Sequence, residues 1–160
     1  MRRFTMMAGA LGVALLMSTG AFAQAPPPAP DYGPTVTLEQ AQKAANAALA
    51  EAKKTPYPMA ITIVGPSGDL VYFLRMDSTA YASLAISQHK ARVAATYKRP
   101  TKALEDRVAA GGIGVTVLTL DGVIASAGGI PLIVGAIGVS GGPTGVIDSG
   151  PAQAGADALK

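Results

Sequence analysis

This chain of 160 residues has no cysteine, no tryptophan and a single histidine. Without cysteine there is no disulfide, no thiol nucleophile, no Cys/His pair and no zinc site of soft ligands. The protein must therefore be held by its core and its assembly. Aromatic residues make up 5% and charged residues 14% of the chain. A formal net charge of +3 invites a nucleic-acid reading. The chain, however, lacks a basic run and has almost no aromatic surface for stacking, and nucleic acid is excluded as a partner. No G-x-S-x-G elbow occurs, so Ser78, Ser83, Ser87 and Asp77, although close to His89 in sequence, do not make a supported Ser-His-Asp arrangement. The Gly-Gly pairs at 111, 128 and 141 open no convincing helix and read as turns rather than phosphate cradles.

What is present begins with an address. Arg2 and Arg3 form a positive start, Ala8 to Met17 an apolar run, and Ala21-Phe22-Ala23 a small-x-small cleavage site. Residues 1–23 read as a signal peptide cleaved after Ala23, which sends the protein to the periplasm or beyond. Its removal leaves 137 residues and a formal charge of +1, because two arginines go with it. Residues 24–36 follow as a linker. Pro26, Pro27, Pro28, Pro30 and Pro34 favour extended polyproline geometry, and no packed partner is expected for the stretch.

Residues 37–160 read as one domain, long enough to bury about two-thirds of its unfolded surface. Thr37 and Gln40 are spaced as a capping box, and Leu38, Ala41, Ala45, Ala48, Leu49 and Ala52 recur at helical spacing behind it. Met59 to Val64 and Leu70 to Leu74, joined by Gly65-Pro66-Ser67-Gly68-Asp69, read as a hairpin. Ala80 to Lys98 reads as a helix apolar on two sides, with Leu84, Ala91 and Ala95 on one and Ile86, Val93 and Tyr97 almost opposite. Two apolar sides need two covers: the domain's own sheet, and a neighbouring subunit or a flat apolar ligand. Pro100 closes that helix, Thr101 is expected to cap a short helix through Val108, and Gly111-Gly112 ends it. Val115 to Leu120 and Val123 to Ala127 flank Asp121-Gly122, the pattern of a second hairpin. A terminal helix from Asp148 to Leu159 is weakly supported, since Gly150, Pro151 and Gly155 oppose it.

The segments MAITIVGPSGDLVYFLRMD from Met59, SLAISQHKARVAATYKRPT from Ser83, GGIPL from Gly128 and GAIGVSGG from Gly135 together resemble the GlcG/HbpS-type heme-binding protein family. The resemblance covers roughly Leu38 to Lys160. It implies an α+β fold, profilin-like, in which helices flank an antiparallel sheet, and it implies heme as cofactor and an even-numbered homo-oligomer as large as an octamer. The chain departs from the family pattern at Ile133-Val134, which meets Gly135 directly and is about five residues short. Two outcomes are expected there: one long strand over Ile130 to Val139, or replacement of the missing partner by the Asp121-Gly122 hairpin.

Heme asks for an axial ligand, an apolar slot and cations for its propionates. His89 is the one imidazole and the expected iron ligand, with Met76 and Tyr81 as other possible ligands. Arg92 and Lys90 beside it, and Arg75, Lys98 and Arg99 further off, are candidate propionate partners, and Tyr97 a candidate wall. No catalytic residue is singled out. The leading reading is an exported heme-binding protein that scavenges, stores or senses heme without turnover. Two others stand beside it: an accessory or sensory protein docking on a membrane or periplasmic partner, and a corrinoid- or small-molecule-linked domain like that of PduO-type adenosyltransferases.

Overall fold

The computed structural model describes residues 34–160, so the expected signal peptide and most of the Pro-rich linker lie outside the described residues. Helix α1 runs over Leu38–Ala52 and opens as its sequence directs. The Gln40 amide donates to Thr37 Oγ1 at 3.2 Å and the Thr37 amide to Gln40 Oε1 at 2.9 Å, so two orphan donors of the first turn are satisfied reciprocally. The linker ends earlier than expected. Val36 is buried, and its amide donates to the Val134 carbonyl at 2.8 Å, because an apolar side chain one residue before the cap finds the open end of the core.

Strands β1 (Ala60–Val64) and β2 (Leu70–Arg75) form the expected hairpin, and β3 (Gly129–Leu132) and β4 (Gly135–Ser140) form a second one. All pairings are antiparallel and the sheet order is β2-β1-β4-β3. Helix α2 (Tyr81–Tyr97) covers the front of this sheet, while α1 and α4 (Gly145–Asp157) cover the back. The two faces follow from strand alternation. Ile61, Ile63, Ile137 and Val139 point back into a cluster with Ala41, Ala44, Ala45, Ala48, Ala152 and Ala156. Val64 and Ala136 point forward against Ala91, Ala94 and Ala95. A Cβ on Gly138 would lie 2.2 Å from the Ser87 carbonyl oxygen, so the backbone of α2 rests directly on β4.

Both alternatives for the shortened segment are overturned. Ile133 and Val134 form a tight turn, with Leu132 paired to Gly135 across it, and a hairpin closes in two residues. Val134 packs onto the main core and anchors that turn although neither residue has turn chemistry. The Asp121-Gly122 hairpin does not form either. After α3 (Thr101–Ala109), Gly111 and Gly112 take positive φ of 70° and 55°, and Gly112–Thr119 winds as a 3-10 helix. Gly114 and Val117, three residues apart, are its buried positions, which is the spacing that aligns on one side of a three-residue turn.

The second apolar side of α2 is covered from within. Val93 is 1% exposed and clusters with Leu104 and Val117, with Tyr97, Val108, Val123 and Ile124 packed around them. The cover required by the two-sided helix is therefore this chain's own α3 and 3-10 helix, not a neighbour at Val93.

Candidate functional site

The most constrained polar group in the described fold is one expected beside His89 as a candidate propionate partner. Lys90 faces inward from α2, 1% exposed, and its Nζ donates to Asp148 Oδ2 of α4 at 2.7 Å. Asp148 is 2% exposed and its second oxygen accepts the Gly142 amide at 2.8 Å. Because α2 and α4 lie on opposite faces, the pair ties the two layers together past the end of the sheet. Room for it comes from Gly128, at φ 112°, where a Cβ would lie 2.7 Å from Asp148 Cβ and 3.1 Å from Lys90 Nζ. Burial pushes the Asp148 carboxyl above the usual carboxylate range, and the hydrogen bond and charge of Lys90, with the Gly142 and Gly141 amides, pull against it.

Around this pair the chain is clamped again. The Gly129 amide donates to Thr101 Oγ1 at 2.9 Å and the Ala127 amide to Glu105 Oε2 at 2.7 Å. Thr101 is thus the first residue of α3 with its hydroxyl committed to the next strand, rather than the cap the sequence predicted. Lys90, Asp148, Thr101 and Glu105 were not legible as a group. The available signal was that Lys90 falls on the same helical arc as Ser87, Ala91 and Ala94, which bury.

The expected cofactor residues are dispersed. His89 and Arg92 are exposed on the outer side of α2. Arg92 lays its stem against Gly68, where a Cβ would lie 2.8 Å from its Cγ. Arg75 sits over the Tyr81 ring, 5.3 Å from the centroid, and donates to the Thr79 carbonyl at 3.4 Å. Tyr81 and Arg92 are eleven residues apart on one helix, about 16 Å at 1.5 Å per residue. The two arginines are thereby held at separate ends of α2 and do not form a joint clamp. Met76 packs on the main core and its sulfur accepts the Met59 amide at 3.3 Å. Tyr97 is half-buried in the cluster around Val93.

Apolar space lies elsewhere, on both sides of the Ile133 turn. One cleft of about 300 Å³ is lined by Pro66, Ala95, Lys98, Pro131, Leu132 and Ile133. A second of about 270 Å³ shares Pro131, Leu132 and Ile133 and is bounded by Pro100, Ala156 and Leu159. These volumes stand at the lower end for ligand sites. Measured against the needs of heme, the first cleft offers apolar walls with one cation, Lys98, at its rim, and His89 does not line it. Among the described residues, no group of three or more His, Cys, Asp or Glu side chains is gathered to hold a metal.

A four-stranded antiparallel sheet between helices, with one buried ion pair linking its two layers, defines an α+β domain of the layered kind expected from the sequence. The family model described as haem degrading protein HbpS-like matches residues 36–157, and the chain belongs to that family. The protein GlcG of Escherichia coli strain K12 is 36% identical over 108 residues, covering 62% of this chain and 79% of GlcG. A crystal structure of HbpS superposes with a TM-score of 0.73 at 32% identity, covering 81% of this chain and 94% of that one. A crystal structure of a PduOC:heme complex has a TM-score of 0.70 at 24% identity, over 79% of this chain and 96% of that one, and shares the fold.

Proposed function

We propose that this protein is exported and binds heme, as a scavenger, store or sensor rather than as an enzyme that turns heme over. The observation that carries the reading is the match of a haem-related family to residues 36–157, nearly the whole described domain. The apolar cleft beside Lys98 is compatible with one edge of a macrocycle and a propionate. His89 remains the candidate iron ligand, presented outward from α2 and reachable by a heme that a second surface covers. Arg92, about one helical turn from it, is the nearest exposed candidate cation; Tyr97 ends α2, and Arg75 ends β2.

The family description speaks of degradation, and a bound heme with oxygen and a reductant can supply that chemistry itself, so binding without turnover is the part of the reading that a hemin titration decides. Export rests on residues 1–23. Assembly into a homo-oligomer belongs to the same proposal, with its contact surface away from Val93.

Hemin titration tests this. A Soret shift on mixing is expected, weakened in His89→Ala, with a bound spectrum that persists under a mild reductant in air. Steady bleaching of the bound Soret band would replace binding by degradation. Absence of any Soret change in the unaltered protein would remove heme from the function and bring forward the corrinoid or docking readings.

A further inference from the structure

The described chain begins at the mouth of the first apolar cleft. Val36 belongs to the back core, and its amide donates to the Val134 carbonyl at 2.8 Å. One residue earlier, Thr35 Oγ1 stands 2.8 Å from where a Gly65 Cβ would lie. Gly65 precedes Pro66 and touches Gly135, where a Cβ would lie 3.3 Å from the Gly65 Cα. Pro66 and Gly135 both line the cleft of about 300 Å³, together with Ala95, Pro131, Leu132 and Ile133, and Lys98 is the one ionisable group among the described residues of its wall. Followed toward its N-terminus, the backbone therefore leaves the layer of α1, crosses the end of the sheet between Val134 and Gly65, and arrives beside the cleft.

Residues 24–33, QAPPPAPDYG, precede this point. Their single charge, Asp31, and their single aromatic ring, Tyr32, both sit at the end nearest the cleft. At about 3.1 Å per residue of extended Pro-rich chain, Tyr32 is about 6 Å and Asp31 about 9 Å from Pro34. The chemistry matches as well as the reach. The cleft offers apolar walls, including two prolines, and one cation; the segment offers one ring and one carboxylate. Ile133 at the rim is 82% exposed, a large aliphatic side chain left to be covered. Pro30 and Pro34 fix φ on either side of the segment and so reduce the entropy lost when it docks. Tethering supplies the rest. A short linker presents its own segment at an effective concentration on the order of millimolar, so contacts too few to hold a separate molecule suffice.

We propose that residues 31–33 fold back into this cleft, Tyr32 against Pro66, Pro131 and Ile133 and Asp31 toward Lys98, so that the Pro-rich segment is a strap laid over the protein's own apolar site. Instead of the unpacked linker expected from its prolines, the segment has a partner on its own domain. A ligand entering the cleft must displace it. The second cleft is the poorer seat, since neither Pro66 nor Gly135 lines it and it opens toward Pro100 and Leu159. The inference does not depend on the heme reading.

The chain has no tryptophan, so Tyr32→Trp places a single indole in the segment, and Tyr57→Trp, at an exposed position after α1, serves as the reference. In the full-length protein, emission from position 32 should lie to the blue of that from position 57 and be quenched several-fold less by acrylamide. Adding Ile133→Asp, at an exposed turn position that the core does not use, should return both readings to those of position 57. Asp31→Arg should do the same by setting a cation against Lys98, and it leaves the contacts of the described domain unaltered. Equal readings at 32 and 57, or a blue emission that survives either change, would overturn the proposal. So would a blue emission lost on dilution, which would assign the cleft to the same segment of a second copy.

Discussion

Behind the sheet, Val36, five alanines of α1, Met59, four strand residues and two alanines of α4 merge into one buried cluster. In front, burial is split. Val64 and Ala136 meet Ala91, Ala94 and Ala95 in one small cluster, and Val93, Leu104 and Val117 make another under the 3-10 helix. The back holds the fold; the front, where backbone approaches backbone at Gly138, leaves aliphatic side chains over. The large buried cluster and the exposed aliphatic side chains of the 3-10 helix are thus segregated on the two sides of one sheet, and the Lys90–Asp148 pair is a polar link between them.

That link is the place to break the contrast most severely. Asp148→Asn should leave a buried lysine without its carboxylate and cost about 3–5 kcal/mol in urea unfolding. Lys90→Met should cost about as much at neutral pH, and its loss should vary with pH on the acid side. The Asp148 carboxyl already lies above its ordinary value in the folded protein, and without Lys90 it goes higher. A carboxyl raised in the folded state takes up its proton there before the unfolded chain does. The loss in Lys90→Met therefore shrinks as pH falls through the raised folded value toward the ordinary carboxylate range. A deficit that grows on acidification would show that the pair is not limited by burial of the anion. The double variant Lys90→Met with Asp148→Asn should lose less than either single change, since no unpaired charge remains.

Ile137→Ala, a deletion in the large back cluster, should cost about 2–5 kcal/mol, read as a lowered urea midpoint with an unchanged slope. Val93→Glu puts a charge between α2 and the 3-10 helix. It should cost several kcal/mol, on the order of a buried unpaired charge, and lower thermal stability at every protein concentration. Dissociation of an assembly with the fold intact would instead restore Val93 to an intersubunit role. Smallest of all, Leu118→Ser on the exposed side of the 3-10 helix should stay within about 0.5 kcal/mol. A larger loss would mean that the front lobe depends on that side for its folding.

Elements written in local chemistry were legible. The Thr37 and Gln40 capping box, the Gly65–Asp69 hairpin loop and the Arg99-Pro100-Thr101 helix end act over a few residues, and each stands where the sequence placed it. The family resemblance was legible for the same reason, since its most specific segments include these turns and helix ends. Only the tertiary structure decided the rest. Helix α4 forms through Gly150, Pro151 and Gly155 because Gly155 lets it close on α1, where a Cβ would stand 2.8 Å from the Ala44 carbonyl oxygen. Two β-branched residues make the Ile133-Val134 turn because strand pairing and Val134 burial outweigh local preference. The run from Val115 to Leu120, alternating enough to pass for a strand, joins neither outer edge of the sheet and winds on α3 instead. Lys90 turned inward because its carboxylate waits 58 residues further on. Propensity and capping are properties of neighbours along the chain, whereas burial of a charge or closure of a helix on a distant alanine depends on contacts that exist only once the layers have met.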